Sequence, residues 1–312
     1  MEAPSDLGSR PDSLGVGLAS RDQLSLGVVV PSHNGSWQLD GVLRSLDCQS
    51  VRPETVVVVD DGSDPWEERR VRSLCRDLGA LYTRLPPPRS GREALGRRSH
   101  ARNLGTKCLD TDVILYLDGD MLLCPTYIEE IKRCHSIFGK VYIRGRRYGI
   151  PAACQANGIE ICLNAIAKKQ LGAPLQSVRY VAEPQSSAGP LVRGTAYRDR
   201  WEWCASNNMS VRSEYVAQIG YWDEGFLGWG EEDMDFSFRL FRLGLTPLVL
   251  QTDDAAAYHL DHEVDYEMNR MTLRENGKYL MGKFPGIGVY RKEAYARYGI
   301  NIEDLSHRRS LR

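Results

Sequence analysis

Several things are scarce in this sequence, and each shortage excludes a class of protein. No apolar run approaches the roughly 20 residues needed to cross a bilayer; the longest, VVVV at 56–59 and VILYL at 113–117, are far shorter. The first residues, MEAPSDLGSRPDSLG, lack a cationic start followed by an apolar stretch, so no secretory signal is visible and a cytoplasmic protein is expected. Neither charge is in surplus: 40 Lys and Arg meet 41 Asp and Glu, a net charge of −1, which offers no bulk footprint for nucleic acid or an anionic membrane. Cys48, Cys75, Cys108, Cys124, Cys134, Cys154, Cys162 and Cys204 form no C-x-x-C pair, which speaks against a zinc knuckle or redox dithiol and for reduced, packing cysteines. There is no internal repeat, and no G-x-G-x-x-G opens the first helix, which weakens a dinucleotide reading.

What remains is an ordinary globular composition, 42% hydrophobic and 26% charged, in a chain long enough to bury a large core. Residues 1–24, rich in Ser, Gly, Pro and Asp, predict a mobile tail. From Leu26 strands and helices alternate. LGVVVPSHN reads as a buried strand, and Leu39, Val42, Leu43 and Leu46 are spaced for a helix. TVVVVDDGSD predicts a second buried strand, WEERRVRSLCRDLG a helix, ALYTRLP a short strand, SHARNLGTKCL a helix and DVILYLD another strand. The stretch from Pro86 through RSGREALGRR predicts a flexible basic loop. Further on, a helix is expected near TYIEEIKRCHSIFG and a strand at KVYIRG; Glu231–Asp235 should open a helix that Gly244 and Pro247 stop, and a last helix should run along YEMNRMTLRENGKYLMGK. This order predicts an α/β fold, a doubly wound sheet with its ligand beyond the carboxyl ends of the strands. Ser32–Asn34, Asp60–Ser63 and Asp118–Asp120 fall at those ends.

Three clusters carry chemistry. In LYLDGD, Asp118 and Asp120 are two apart; on an extended segment both carboxylates would converge on one point and need a counterion, such as Mn²⁺ or Mg²⁺. The alternative is a pair of exposed turn acids. In GWGEEDMD, Glu232 and Asp233 at a helix start are favoured by the helix dipole, by roughly 0.3–1 kcal/mol, but capping does not account for Phe226, Trp229 and Gly230 beside them. Those residues would make a tight turn beside a flat apolar surface, which suits a sugar face or a closing loop. In YHLDH, His259 or His262 could offer a nitrogen ligand to the same cation.

Taken in order, VVVPSHN, VVVVDDGSD, SHARNLG, LYLDGD, NNMSVRSEY, IGYWDEGF, GWGEEDMDFSFRL and YHLDH resemble a family 2 glycosyltransferase of the GT-A fold over residues 26–262. The W-G-x-E-D segment is similar to that of galactosyltransferases, polypeptide N-acetylgalactosaminyltransferases and bacterial chondroitin-type polymerases. The resemblance implies a nucleotide-diphosphate sugar donor, usually a UDP-sugar, and a Mn²⁺ or Mg²⁺ cofactor. It assigns Pro31, His33, Asn34, Asp60 and Asp61 to the base and ribose, and Arg102, Asp118 and Gly119 to the rest of the donor site. Asp120 would touch the metal, with His259 the better match for the downstream ligand and His262 its rival. Asp233 would be the general base of an inverting displacement, Glu232 would hold the acceptor hydroxyl, and Trp229, Gly230 and Asn208 would line the acceptor and sugar side.

The same resemblance divides the chain into a nucleotide-sugar-binding half at 25–122, an acceptor-binding half at 123–262 and a helical C-terminal extension at 263–312. The Q-x-x-R-W segment and membrane spans of processive synthases are missing, so single transfer is expected, to a glycan, natural-product or peptide acceptor. Residues 140–205 resemble nothing, and Trp201 and Trp203 there could stack on a sugar or be buried. Two rivals are a sugar-phosphate nucleotidyltransferase and a non-catalytic nucleotide-sugar-binding module.

Overall fold

A computed structural model describes residues 24–150, 155, 158–168, 179–180, 195–196, 201 and 205–306. The predicted tail up to residue 23, most of 151–204 and Trp203 lie outside the described residues.

The first half alternates as the apolar runs require. Strands β1 (Leu26–Ser32), β2 (Thr55–Asp60), β3 (Leu81–Arg84) and β4 (Val113–Leu117) are joined by helices α1 (Ser36–Asp47), α2 (Pro65–Asp77) and α3 (Arg98–Lys107). All five residues of β4 are buried, as expected of a strand covered on both faces. Helix α2 begins with Pro65 in its first turn and carries Glu67 and Glu68 there and Arg76 in its last, matching the helix dipole at both ends. β3, β2, β1 and β4 lie side by side and parallel, so their carboxyl ends share one edge.

Past β4 the sheet becomes mixed. After β5 (Met121–Leu123), α4 (Tyr127–Ile137), β6 (Val141–Arg144), β7 (Arg146–Ile150) and α5 (Ile159–Ala167), strands β8 and β9 are two-residue pieces, Arg179–Tyr180 and Thr195–Ala196. Then come β10 (Asn208–Arg212), α6 (Ser213–Gln218), α7 (Glu232–Arg242), β11 (Thr246–Leu250) and β12 (Ala256–Leu260). The main sheet runs β3-β2-β1-β4-β10-β6-β11-β9, with β10 antiparallel to both neighbours. A second sheet, β5-β12-β7-β8, stands beside it. Helix α7 ends through Gly244 at φ +90°, where Leu245 N–H returns to the Leu240 carbonyl at 3.1 Å. Pro247 does not stop that helix: it sits inside β11, opposite Tyr142.

Buried side chains fill both faces of the main sheet. On one, Trp222 stacks on Phe236 with centroids 3.8 Å apart, and Tyr116 meets Trp222 edge-on. The chain from 263 onward joins this core. Helices α8 (Tyr266–Lys283), α9 (Gly288–Arg297) and α10 (Glu303–Ser306) follow, Leu280 and Ile287 enter the Trp222 side, and Leu273, Tyr295, Ile300 and Leu305 form a further cluster against Trp229.

Candidate active site

The edge formed by the carboxyl ends of β1, β2 and β4 is polar because the chain must turn there. Asn34 takes a left-handed turn at φ 49°, its N–H bonds Ser63 Oγ and its Oδ1 accepts from the Asp64 N–H, which clamps the loop after β1 to the loop after β2. His33 Nδ1 reaches the Asp61 carbonyl at 2.9 Å. Asp61 accepts from the N–H and Nε of Arg97, at 2.7 and 2.8 Å. Arg97 is buried and also donates to the Pro86 carbonyl, so one end of the expected flexible basic loop is anchored. Pro31, His33, Asn34 and Asp61 all keep accessible surface at this edge. Asp60 departs from the expected donor set. It has no accessible surface, one oxygen accepts from Ser63 N–H and the other from Tyr82 O–H, so it shapes the turn and offers a ligand nothing.

The Asp118–Asp120 segment is a turn, not an extended strand: Met121 N–H returns to the Asp118 carbonyl at 3.1 Å. A Cβ on Gly119 would sit 2.9 Å from the Pro31 carbonyl oxygen, so this turn packs against β1 only with glycine there. The two carboxylates therefore go to different partners. Asp118 Oδ1 lies 3.1 Å from Arg102 Nη2, and Arg102 Nη1 lies 3.3 Å from Glu232 Oε1. Arg102 is no surface cation; it is buried, with its guanidinium 4.7 Å from the centre of the Trp222 ring.

Asp120 turns the other way. The antiparallel register of β5 and β12 sets Met121 opposite His259, and Leu260 N–H bonds the Asp120 carbonyl. That brings Asp120 Oδ2 within 3.3 Å of His259 Nε2 and 3.1 Å of His262 Nε2. Ligand atoms of all three lie within 4.8 Å of one another, so the histidines are joint candidates and not rivals. Burial would raise the Asp120 carboxyl, but the bonds from His259 and His262 outweigh it and hold it below the usual range; His262 is pushed up to about 9, chiefly by its bond to Asp120. Asp120 Oδ1 is buried without a hydrogen-bond partner. An oxygen-and-imidazole set with one orphaned carboxylate oxygen fits a divalent ion such as Mn²⁺.

The third component is the loop before α7. Gly228 and Gly230 have φ of 75° and 99°, and Glu231 follows at 73° in the left-handed region, where a non-glycine residue is strained by about 1–3 kcal/mol. Asp233, in the first turn of α7, is pushed up to about 7 by burial and by the charge of Glu232. Trp229 is half-buried, its ring against Tyr298 at 5.3 Å and its backbone held on both sides by Thr272 Oγ1. Gly230 lies against Leu273. Asn208, expected on the sugar side, has no accessible surface; its Nδ2 donates to the Gly145 carbonyl inside the sheet, and its Oδ1 is buried without a hydrogen-bond partner among the described residues. Trp201 is buried against Phe238 and Tyr290.

Sequence reading misses four side chains here. Arg97 carries no motif. Arg147 lies on β7 opposite Ala257, on the strand face that carries His259; burial lowers its pKa, and among the described residues it has no ion-pair or hydrogen-bond partner. Asp120, Asp118 and Asp261 are its acidic neighbours. Arg291 and Asn276 come from the C-terminal helices, and only the spacing of polar residues on buried helix faces hints at them. The sites of Asp118, Asp120, Glu232 and Asp233 were legible because each ends or begins a patterned element.

A mostly parallel sheet with acids at its strand ends and an acid-histidine set beside them defines a GT-A fold. The structure of GalNAc-T7 with UDP, GalNAc and Mn²⁺ superimposes with a TM-score of 0.57 at 14% identity, covering 91% of this chain and 54% of that one. Residues 27–150 match the model of Glycosyl transferase family 2. Validoxylamine A glucosyltransferase of Streptomyces hygroscopicus subsp. limoneus is 27% identical over 276 residues, 84% of this chain and 57% of the relative. Chondroitin synthase of Pasteurella multocida is 26% identical over 315 residues, 91% of this chain and 29% of its own length. The chain thus spans 57% of the first relative and less of the second. No helix among the described residues is long and apolar enough to cross a membrane.

Proposed function

We propose that the protein is a metal-dependent glycosyltransferase that moves a sugar from a nucleotide-diphosphate donor, a UDP-sugar, to an acceptor nucleophile by single, inverting displacement. The observation that carries this reading is the meeting of Asp120 with His259 and His262, which lie far from it in the chain, while the other oxygen of the Asp120 carboxylate is buried without a hydrogen-bond partner. Asp120, His259 and His262 would hold Mn²⁺ or Mg²⁺, which when bound stabilises charge on the departing diphosphate. The exposed His33 and Asn34 are available to the base and ribose, with Asp61, held by Arg97, and Asp118, fixed by Arg102, alongside. Arg147, desolvated and unpaired among the described residues, is available to the diphosphate.

On the acceptor side Asp233 takes the proton. A base whose carboxyl titrates near neutrality is matched to that task, since it is ionised at working pH yet basic enough to accept. Glu232, tied to Arg102, stays beside it as a hydrogen-bond acceptor for the incoming hydroxyl. Gly230 and the free part of Trp229 border the space for the sugar.

The test is incubation with Mn²⁺ and a panel of nucleotide sugars and acceptors, reading nucleoside diphosphate release and the anomeric configuration of the product by NMR. Release of pyrophosphate from UTP and a sugar phosphate would instead make it a nucleotidyltransferase. Retention of configuration would remove Asp233 from the role of base.

A further inference from the structure

The acidic loop before α7 is held in place from the far end of the chain. Asn276 Nδ2 on α8 donates to the Gly230 carbonyl at 2.8 Å and the Leu227 carbonyl at 3.0 Å, while Thr272 Oγ1 bonds both backbone groups of Trp229. On the other side Arg98 Nη1 donates to the Gly228 carbonyl at 2.6 Å. At the end of the loop Glu231, 1% exposed and left-handed, immediately precedes the helix that starts with Glu232 and Asp233. Three consecutive carboxylates at one helix start repel one another, and a buried anion needs a partner. Arg291 on α9 supplies it: Nη2 lies 2.9 Å from Oε1, and Nε lies 3.2 and 3.1 Å from Oε1 and Oε2. Planar, forked pairing of this kind fixes orientation as well as charge, which lysine would not reproduce.

We infer that Arg291 is a positioning residue for the transfer reaction: by neutralising Glu231 it lets Asp233 ionise and aims the first turn of α7, so the C-terminal helices are part of the catalytic apparatus. The inference rests on the reading of Asp233 as general base. The charges that face Asp233 are Glu232 on its own helix, Glu231 at the cap, Arg102 from α3 and Arg291 from α9. Arg102 is already shared between Asp118 and Glu232, so Arg291 is what offsets Glu231. Removing the cation alone leaves an unmatched buried anion next to the base and favours protonation of Asp233. Removing both members leaves no such charge.

The experiment compares the parent with R291M, E231Q and the double variant E231Q/R291M, measuring the pH profile of kcat/KM and, separately, the Asp233 carboxyl by NMR with ¹³C-labelled aspartate. R291M should move the acidic limb and the Asp233 titration up by about one pH unit. E231Q should move both down, and the double variant should return close to the parent. Loss of thermal stability in R291M with an unmoved titration would assign Arg291 a merely structural role and overturn the inference. If R291M does not fold, E231Q and the double variant decide the matter, and an E231Q titration equal to the parent's, or a double variant that also fails to fold, is equally adverse. Because the NMR titration needs no substrate, a parent that transfers no sugar would sink the proposed function without touching this result.

Discussion

Asp120 Oδ2 lies 3.1 Å from His262 Nε2, which joins the turn after β4 to the segment after β12. The first expected outcome concerns that junction. D120N, H259A and H262A should each weaken Mn²⁺ binding at least about 10-fold, since even partners outside the ligand shell cost that much in metal sites. Isothermal titration of the three variants checks it, and a wild-type affinity in H262A would leave His259 and Asp120 as the site.

Replacing the proposed base, Asp233, should separate binding from turnover. D233N is expected to keep donor affinity, measured by equilibrium titration, while kcat falls by about 10²–10⁴-fold, the usual contribution of positioned proton transfer. Equal loss of both would place Asp233 in donor binding.

The pH dependence of the parent follows from the sign of the same shift. Asp233 is held above its ordinary value, so the ionised base is present only above about 7 and kcat/KM should rise with pH through an acidic limb there. Stability runs the other way: the folded state retains this proton more tightly than the unfolded chain, so the group's contribution is full below the unfolded pKa near 4 and is lost as pH rises toward 7. Denaturant midpoints at pH 5 and pH 8 measure its part in the total.

R102M should cost about 2–3 kcal/mol of stability, less than a wholly buried pair because Asp118 retains solvent. It leaves Glu232 buried beside Asp233 with no cation, and chemical denaturation gives the value. A midpoint equal to the parent's would mean that Asp118 and Glu232 find other partners.

R147M tests the unpaired arginine on β7. Affinity for inorganic pyrophosphate in the presence of Mn²⁺ should fall about 10-fold, in keeping with loss of a charge-assisted bond of about 1.5 kcal/mol or more. Affinity for uridine should stay the same.

The sheet was legible because β1, β2 and β4 are continuous apolar runs closed by acids, a pattern that depends only on neighbouring residues. The acid and histidine clusters were legible because they sit at element ends. What spacing alone concealed is direction: Asp118 and Asp120 share a spacing but part company because Gly119 turns the chain under Pro31. Asp60 and Asn208 carry polar side chains in motif positions, yet the fold leaves neither any accessible surface, and only packing shows it. Arg291 and Asn276 lie far in sequence from what they hold, and no local pattern can report a partner 60 or 46 residues away.

The hold of α8 and α9 on the loop at Gly228–Glu231 bears on how relatives should be compared. A homologue could keep every signature acid and histidine up to residue 262 and still differ in tempo or acidity optimum, because the brace behind those acids belongs to a later stretch free to diverge. Matching the signatures therefore ranks kinship, whereas matching the brace would group enzymes by how they behave.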